Sequence, residues 1–419
     1  MRIAFIDPQG LNRGLNVGLG FLAASIKRYG HEVKVFDLNN GYLNTKNRIR
    51  EAFSYDAVGF SIKSFTLGSV YRILNSTERK DIICGGPHVS LDGYNLLKER
   101  PNFNIGVISE GEETLVELLG AIERRSALDG VKGIVFRRGN NRDEVVVSEP
   151  RELIPDIDSL PLPDYDVFDS VNKIIFDYPL VTSRGCPYSC IYCCVGKISG
   201  KKVRFRAIEK VIEEIDLARS KYSSRSFHIL DDNFTLDIER AKNFCRGLIS
   251  SGMDMEWSCP NGLRSDRIDE ELVSLMRDSR CKYASIGIES LDEEVFAGIK
   301  KGESQKDIIN SIALFNKYKI KLNAFFLIGL PKDSLQKNIS SLKKAKQIGL
   351  HFGHWSLLVP YPGTETWKWI HDNARIISNW KDGFHFGPKP KVTFETDQFS
   401  AKEMERVYKI ANILSLIHI

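Results

Sequence analysis

The sequence predicts an α/β protein with two successive domains, a doubly wound parallel sheet followed by a partial (β/α)6 barrel. Two observations predict this class. Short apolar runs alternate with longer, one-sided amphipathic stretches along most of the chain, which is typical of parallel sheets with crossover helices. A proline-bearing segment at 151–178 interrupts the alternation, and its composition favours an extended linker over a packed element.

The N-terminal domain, predicted over 1–150, begins with an apolar strand at 3–6 and a helix at 18–29, which Gly30 terminates. Further strands separated by helical stretches indicate a Rossmann-like sheet, and a hairpin with its turn at 139–141 closes it. The remaining predicted strands lie at 33–36, 57–61, 81–84, 105–108, 134–136 and 145–147.

The second domain, predicted over 179–365, repeats the alternation with longer helices. Its first long helix places Ile208, Val211, Ile212 and Ile215 at the spacing of a one-sided helix. Six strand–helix units fit a partial TIM-like barrel, in which chemistry occurs at the carboxyl ends of the strands. The predicted strands are 180–184, 226–231, 255–259, 283–288, 322–328 and 353–359, and a helical extension that packs on the barrel is predicted over 366–419.

The composition is that of an ordinary globular protein, with 42% hydrophobic and 27% charged residues. The net charge of +5 is mild, and no run of like charges indicates a nucleic-acid-binding arm. The chain starts with a strand pattern instead of a leader, and no apolar stretch reaches the roughly 18 residues of a membrane span. We therefore expect a cytoplasmic protein, in a compartment that keeps thiols reduced, with no nucleic-acid partner and no membrane span.

Three of the eight cysteines stand within the eight residues CPYSCIYC. Three thiolates at this spacing can hold three irons of a [4Fe–4S] cube and leave the fourth iron open to a substrate-like group. Cys186, Cys190 and Cys193 are therefore the predicted metal ligands and catalytic residues.

Other uses of cysteine are weaker explanations. Cys194 could complete a zinc site, but neighbouring residues rarely reach one metal, and structural zinc sites usually use two separated pairs. A disulfide framework is not expected in a chain of this length without a secretory leader. Cys245, Cys259 and Cys281 are dispersed, and we expect them to be buried thiols.

The CxxxCxxC segment, with the aromatic Tyr192 before its third cysteine, resembles the signature of the radical SAM enzymes. That resemblance implies that the open iron binds the amino and carboxylate groups of S-adenosylmethionine (SAM). It also implies that an electron from the cluster cleaves SAM to a 5′-deoxyadenosyl radical. The segments HILDDNFT, SIGIES, FLIGLP and VPYPGT resemble strand ends that line the SAM pocket in cobalamin-linked radical SAM proteins.

These strand ends supply the predicted SAM contacts. Taken singly, each is also explained as a helix N-cap, a turn or a solvated charge, but polar groups at successive strand ends point to one site. The resemblance implies Asp231 or Asp232 for the amino group, Arg264 for the carboxylate, Glu289 and Ser290 for the ribose or ammonium, and Gly329 with Pro331 for the backbone around adenine.

The N-terminal domain resembles the cobalamin-binding domain that precedes the barrel in this family, through the segments 16–24, 30–33, 58–61 and 85–88. The resemblance covers roughly the first 365 residues. Glycines let the backbone approach a bulky cofactor, and a serine can hydrogen-bond to it. A nucleotide is the alternative ligand, although no GxGxxG follows the first strand. The predicted cobalamin contacts are Gln9, Gly18, Ser61, Gly85, Gly86 and His88.

One position departs from the cobalamin mutases and methyltransferases. The loop at 7–12 reads DPQGLN and places Gln9 where those proteins have a cobalt-ligating histidine. Without an imidazole there, the resemblance implies base-off cobalamin whose lower face is unligated or weakly covered, a form suited to carrying methyl groups. We expect His88 to cap a helix or to contact the cofactor's tail.

We therefore predict a cobalamin-dependent radical SAM enzyme, specifically a methyltransferase acting on an unactivated carbon or a phosphinate phosphorus. The implied partners are a small-molecule or natural-product substrate and an electron donor such as flavodoxin or ferredoxin. Three alternatives stay open at this point. They are a cyclase or rearrangement enzyme without methyl transfer, a radical SAM enzyme whose N-terminal domain binds no cobalamin, and a non-catalytic zinc protein.

Overall fold

The computed structural model describes residues 1–10, 13–40, 44–79, 81–139, 144–172, 174–350, 352–382 and 390–416. They form two compact units. The first unit comprises Met1–Ile175, Lys197–Gly200 and Lys221–Ser223, and the second comprises Phe176–Gly196, Lys201–Ser220 and Ser224–Ile419. The domain and linker boundaries derived from the sequence stay predictions.

The first unit is built on one sheet. Its strands are β1 (Arg2–Asp7), β2 (Glu32–Asp37), β3 (Ala57–Ser61), β4 (Ile82–Gly85), β5 (Phe103–Val107), β6 (Ile134–Arg138) and β7 (Glu144–Val147). Within the described residues the strand order is β2-β1-β3-β4-β5-β6-β7. The first five strands are parallel, and β6 and β7 form an antiparallel hairpin. The predicted sheet and hairpin are confirmed, although most of the turn, 140–143, lies outside the described residues.

Helices cover both faces of this sheet, which explains why β1 is buried from Ile3 to Asp7. The first helix begins after Asn16, whose side chain accepts a hydrogen bond from the backbone N–H of Leu19 and so caps the helix. The helices are α1 (Val17–Lys27), α2 (Thr45–Ala52), α3 (Leu67–Leu74), α4 (Pro87–Glu99) and α5 (Glu112–Glu123).

The second unit contains a six-stranded parallel sheet. Its strands are β8 (Asp177–Leu180), β11 (Ser226–Ile229), β12 (Glu256–Leu263), β13 (Cys281–Glu289), β14 (Lys321–Ile328) and β15 (Phe352–Leu357), and a short ladder is made of β9 (Ser183–Arg184) and β10 (Arg204–Phe205). The order is β15-β14-β13-β12-β11-β8, with parallel pairing throughout. This is the predicted partial (β/α)6 barrel.

Most strands lie within about two residues of their predicted bounds, and two differ by more. The segment predicted as one strand at 180–184 is split into β8 and β9, because Thr182 between them donates its backbone N–H to the carboxylate of Asp231 instead of to a neighbouring strand. The third strand, β12, continues beyond its predicted end at residue 259 to Leu263, with a shift of register. Asn261 therefore lies within a strand.

The helices of the second unit, in chain order, are α6 (Val195–Ile198), α7 (Ile208–Tyr222), α8 (Ile238–Ser250), α9 (Glu270–Asp278), α10 (Glu293–Gly298), α11 (Gln305–Lys317), α12 (Leu335–Gln347), α13 (Glu365–Asn373) and α14 (Ala401–Leu416). A two-stranded ladder, β16 (Arg375–Ile376) with β17 (Phe394–Glu395), lies between the last two.

The C-terminal extension packs on the barrel, as predicted. Asn412 of α14 donates a hydrogen bond to the backbone carbonyl of Trp355 in β15, and Trp355 stacks on Phe326 of β14 with 4.1 Å between the ring centroids. The end of the chain, 417–419, lies outside the described residues. Among the helices that are described, none combines the length and the apolar character needed to cross a membrane.

Candidate active site

The predicted cluster ligands lie in the loop between β9 and α6, beyond the carboxyl end of the first barrel strand. We call residues 185–194 the cysteine loop. It begins at Gly185, whose positive φ of 97° suits glycine and whose N–H donates to Asp232 Oδ2 at 3.0 Å. A turn closes the end of the motif, where the Cys193 N–H donates to the Cys190 carbonyl at 3.0 Å. Burial raises the pKa values of the Cys186 and Cys190 thiols.

Asp231 holds the segment that leads into this loop. Its carboxylate accepts hydrogen bonds from the Thr182 N–H (2.6 Å), the Thr182 hydroxyl (2.6 Å) and the Ser183 hydroxyl (2.7 Å). Burial raises the pKa of Asp231, and these hydrogen bonds oppose that rise. Both oxygens thus accept hydrogen bonds from Thr182 and Ser183, and a contact of Asp231 or Asp232 with the SAM amino group stays a prediction. Asp232 is the member of the pair that contacts the cysteine loop.

Glu289 is the last residue of β13 and lies next to the cysteine loop. Its carboxylate accepts a hydrogen bond of 2.8 Å from the Tyr192 hydroxyl, and the ammonium group of Lys301 lies 3.7 Å away. Burial raises the pKa of Glu289, and Lys301 opposes that rise. The next residue, Ser290, accepts a hydrogen bond from the N–H of Asp292.

Arg264, predicted to bind the SAM carboxylate, is already engaged. Its guanidinium donates to Asp266 at 2.9 and 3.1 Å and to the carbonyls of Lys301 (2.7 Å) and Gly302 (3.3 Å). It also lies over the ring of Tyr188 in the cysteine loop, 3.5 Å from the centroid, in a cation–π contact. All three of its nitrogens have acceptors, so Arg264 supports the loop in this structure. Its contact with the SAM carboxylate stays a prediction.

The buried cation that the sequence analysis did not identify is Lys301. Its side chain is 7% exposed and lies between the carboxylates of Glu289 and Glu303, the latter at 3.4 Å. The carboxylate of Glu303 also lies 3.5 Å from the guanidinium of Arg264, so two cations and two buried carboxylates meet at this point. Lys301 and Glu289 therefore form a buried charged pair beside Tyr192 of the cysteine loop.

The loop after β14 is a tight turn. The N–H of Asp333 donates to the carbonyl of Leu330 at 3.0 Å. Pro331 occupies the second position and Lys332, at φ +65°, the third, as in a type II turn. Asp333 is buried and accepts from the N–H of Gly329 at 2.9 Å; burial raises its pKa to about 6. The turn is therefore fixed by a carboxylate that sequence reasoning missed.

In the first unit, the carboxyl ends of β1 and β3 carry a linked set of polar groups. The side-chain amide of Asn16 donates to Asp7 Oδ1 at 2.9 Å and to the Ser61 hydroxyl at 3.0 Å. Asp7 is 2% exposed, and among the described residues its Oδ2 has no hydrogen-bond partner. Burial raises the pKa of Asp7 to about 6; Lys63 and Asn16 oppose the rise.

The glycine pair after β4 shows two different constraints. A Cβ on Gly86, whose φ is +98°, would lie 2.9 Å from the carbonyl oxygen of Ile62, so only glycine fits there. A Cβ on Gly85 would meet nothing closer than 3.7 Å. His88 is fully buried in α4, with Nδ1 3.1 Å from the Ser64 hydroxyl. It neither caps that helix, whose N-cap is Gly86, nor presents an exposed side chain to a cofactor.

The two remaining predicted cobalamin contacts are less constrained. Gln9 is exposed directly after β1. Gly18 lies in the first turn of α1, where a Cβ would meet only the Asn16 side chain at an ordinary 3.4 Å. Gly18 is thus not required by packing within the described part of the first unit.

Two family models match the chain. One describes the radical SAM superfamily and covers residues 180–345, which contain the cysteine loop and the ends of β11 to β14. The other describes the B12-binding domain and covers residues 11–119 of the first unit.

The chain carries an N-terminal B12-binding domain followed by a radical SAM domain.

Several relatives match most of the chain. An uncharacterized methyltransferase of Pyrococcus horikoshii is 28% identical over 406 residues, covering 94% of this chain and 87% of its own. The cytidylyl-2-hydroxyethylphosphonate methyltransferase of Streptomyces wedmorensis is 25% identical, covering 83% and 76%. Among solved structures, the radical SAM methyltransferase TsrM from Kitasatospora setae superposes with a TM-score of 0.76 at 18% identity, covering 90% of this chain and 79% of its own. This last likeness concerns the fold.

The residues of the radical SAM unit suit a cluster and SAM. Thiols are the donors that iron–sulfur clusters use, and the three cysteines stand on one short loop. The Glu289–Lys301 pair offers an acceptor and a donor of the kind that an ammonium and a carboxylate require. Among the residues that the structure describes, no group of three or more His, Cys, Asp or Glu side chains is arranged around a single metal ion.

The B12-binding unit also offers a fit. Cobalamin carries amide side chains that donate hydrogen bonds, and the buried Oδ2 of Asp7 is an acceptor with no partner among the described residues. The side-chain amide of Asn16 donates to both Asp7 and Ser61 and so connects the two residues. Both groups stand at the carboxyl ends of parallel strands, where open α/β sheets bind ligands.

Sequence reasoning missed Lys301, Glu303 and Asp333. The segment Lys300-Lys301-Gly302-Glu303 has the composition of a solvated loop, and nothing in it distinguishes the buried lysine from its exposed neighbour. Asp333 follows Gly329 by four residues, and this spacing in a Gly-Leu-Pro turn was the one local signal available.

Proposed function

We propose that the protein is a cobalamin-dependent radical SAM methyltransferase that reductively cleaves SAM. The observation that carries the proposal is the hydrogen bond by which Tyr192, inside the CxxxCxxC loop, contacts the Glu289–Lys301 pair at the end of β13. It brings cluster ligands and a SAM-binding strand end together. When bound, the [4Fe–4S] cluster supplies one electron for SAM cleavage, and cobalamin supplies a carrier for a methyl group.

The protein's side chains have separate tasks in this reaction. Cys186, Cys190 and Cys193 hold the cluster and leave one iron open to SAM. Glu289 accepts hydrogen bonds from the SAM ammonium or ribose, and Asp232 assists beside the start of the loop. Together they fix SAM relative to the cluster, because electron transfer and cleavage require a fixed geometry.

We assign the SAM carboxylate to Lys301 in place of Arg264. Both cations are engaged: Arg264 pairs with Asp266 and Glu303, and Lys301 pairs with Glu289 and Glu303. Lys301 is chosen because it lies beside Glu289, the carboxylate that we assign to the SAM ammonium or ribose. A second anion beside Glu289 and Glu303 needs this cation. The Gly329–Pro331 turn, with Ser290 next to Glu289, supplies backbone and hydroxyl groups for the adenosine part.

In the B12-binding unit, we propose that Asp7, Ser61 and the backbone at Gly85 contact cobalamin. Gln9 occupies the position of a ligating histidine and is exposed, so no imidazole from that position reaches cobalt. Gly86 lets the start of α4 approach the backbone of Ile62. His88 is buried inside the unit.

We infer a small-molecule substrate with an unactivated carbon or a phosphinate phosphorus as methyl acceptor. The relative from Streptomyces wedmorensis is named for a phosphonate substrate, which supports a small molecule as the substrate. A low-potential electron donor of the flavodoxin or ferredoxin class and a reducing, cytoplasmic setting complete the proposal.

The first experiment examines the cofactors. The protein is reconstituted anaerobically with iron, sulfide and hydroxocobalamin, and is then reduced with titanium(III) citrate in the presence of SAM. We expect about four irons and one cobalamin per chain, numbers that follow from a cube and one corrinoid site, together with 5′-deoxyadenosine. Cys186→Ala, Cys190→Ala and Cys193→Ala should each abolish nucleoside formation. Cys194→Ala, the adjacent control, should retain it, and full activity in the first three variants would refute the proposal.

The second experiment separates methyl transfer from ring closure or rearrangement. SAM carrying a deuterated methyl group is incubated with the reconstituted, reduced protein, and the corrinoid is analysed by mass spectrometry. Recovery of the label with the corrinoid supports a methyltransferase. SAM cleavage without any transfer of label would instead favour an enzyme that uses the radical for rearrangement.

A further inference from the structure

Thr182, between β8 and β9, is held from two sides at the entrance to the cysteine loop. The carboxylate of Asp231 accepts hydrogen bonds from the Thr182 N–H and from the Thr182 hydroxyl. From the other side, Arg240 of α8 donates to the Thr182 hydroxyl oxygen at 3.2 Å and to the Thr182 carbonyl at 3.1 Å. The N–H of Arg206 donates a second hydrogen bond to that carbonyl at 3.0 Å. Every polar atom of Thr182 is therefore hydrogen-bonded.

The same guanidinium binds the opposite strand of the short ladder. Arg240 donates to the carbonyl of Arg206 at 2.9 Å and lies over the ring of Phe205, 4.9 Å from its centroid. One side chain thus joins the two segments, at Thr182 and Arg206, that face each other at one end of the antiparallel β9–β10 ladder that flanks the cysteine loop.

Local helix energetics do not explain an arginine at this position. Arg240 is the third residue of α8, in the first turn after the N-cap Asp237, and a cation in the first turn of a helix is disfavoured by the helix dipole. Its contacts with Thr182 and Arg206 offset that cost. They are charge-assisted hydrogen bonds, which are stronger than neutral ones.

We propose that Arg240 is a positioning residue that fixes the cysteine loop by holding Thr182, four residues before Cys186. It touches none of the predicted cluster ligands and acts through the backbone of Thr182 and of the β9–β10 ladder. Its importance for catalysis rests on the proposed function, since a cluster held by three thiolates needs ligands at fixed positions. The effect of Arg240 on the order of the cysteine loop does not depend on the proposed function.

Arg240→Met removes the donors while keeping the length of the side chain, and Arg240→Lys restores a cation. Arg246→Met is the matched control, because Arg246 lies on the same helix but pairs with Glu271 at the surface. Hydrogen–deuterium exchange of the apoprotein is measured over peptides that cover residues 180–194. Electron paramagnetic resonance of the reconstituted, reduced protein is measured with and without SAM.

We expect the peptides of Arg240→Met to exchange roughly tenfold faster than those of Arg246→Met, as the loss of charge-assisted bonds implies. Its resonance spectrum should be broadened or shifted at unchanged thermal stability of the barrel, and Arg240→Lys should lie between the two. Exchange and spectra identical in Arg240→Met and Arg246→Met would overturn the proposal.

If Arg240→Met does not fold, Thr182→Val decides instead. It removes the hydroxyl that Arg240 and Asp231 share and leaves the backbone bonds, so we expect faster exchange confined to the cysteine loop. Unchanged exchange there would overturn the proposal. Absence of a cluster in the wild-type protein would refute the proposed function but leave the exchange comparison on the apoprotein decisive.

Discussion

The hydroxyl of Tyr192 donates a hydrogen bond of 2.8 Å to the carboxylate of Glu289. Tyr192 stands between the second and third cysteines of the loop, and Glu289 ends β13 with a left-handed φ of 64°, a conformation that costs energy for a residue other than glycine. The bond thus connects two parts of the chain almost a hundred residues apart. It fixes the distance between the cluster ligands and the strand end that we assign to SAM.

Removing this bond should weaken SAM use without unfolding the barrel. In Tyr192→Phe, the Glu289 carboxylate loses the hydrogen bond that the Tyr192 hydroxyl donates. A hydrogen bond to a charged group is worth about 1.5–3 kcal/mol. We therefore expect the rate of 5′-deoxyadenosine formation at low SAM concentration to fall roughly tenfold or more. Tyr94→Phe, at an exposed tyrosine, serves as the control. Equal rates in the two variants would show that the bond does not contribute.

Two adjacent lysines should respond in opposite ways to substitution. Lys301→Met leaves the buried carboxylates of Glu289 and Glu303 without their shared cation, which should destabilise the protein by about 3 kcal/mol or more and abolish SAM cleavage. Lys300 is exposed and pairs with Glu365 at the surface, so Lys300→Met should cost less than about 1 kcal/mol. Thermal unfolding and 5′-deoxyadenosine formation measure both effects. A nearly wild-type Lys301→Met protein would contradict the assignment.

Gly86 should tolerate no side chain. In Gly86→Ala the new methyl group meets the Ile62 carbonyl at 2.9 Å in a backbone conformation that L residues rarely adopt, and we expect a loss of roughly 3 kcal/mol or more together with loss of cobalamin binding. Gly68→Ala, at an open position of α3, should instead stabilise the unit by roughly 0.5–1 kcal/mol. Thermal unfolding and the absorbance of bound hydroxocobalamin distinguish these outcomes.

Asp7 should make the stability of the first unit depend on pH. Burial raises its pKa to about 6, whereas the unfolded value is near 4. Between these values the folded protein keeps a proton that the unfolded chain has released, so stability falls as pH rises from about 4 to 6, by up to roughly 3 kcal/mol. Asp7→Asn cannot ionise and should gain stability relative to the wild type across that interval.

Melting temperatures of the wild type and Asp7→Asn, measured from pH 4 to 7 without cofactors, check this expectation. Asp81→Asn is the control, because the Asp81 side chain is 51% exposed. A constant difference between the wild type and Asp7→Asn over the whole range would rule out the predicted titration.

Much of the fold followed from the sequence because its signals are local. The alternation of apolar strands and one-sided helices located each strand of both sheets, although β8 and β12 ended at other residues than predicted. The β8 boundary was missed because the Thr182 N–H bonds to Asp231, which lies 49 residues away along the chain. Nothing near Thr182 in the sequence indicates that partner.

The sequence by itself determined the metal chemistry, since the spacing of Cys186, Cys190 and Cys193 on one short loop is a local property. Only the tertiary structure decided which charged groups contact that loop: Glu289, paired with Lys301, through Tyr192, Arg264 through Tyr188, and Asp232 through the Gly185 N–H. The reason is physical. Whether a charged side chain is paired, buried or available depends on distances between elements far apart in the chain, and neighbouring lysines or aspartates are chemically alike until folding places one of each pair inside.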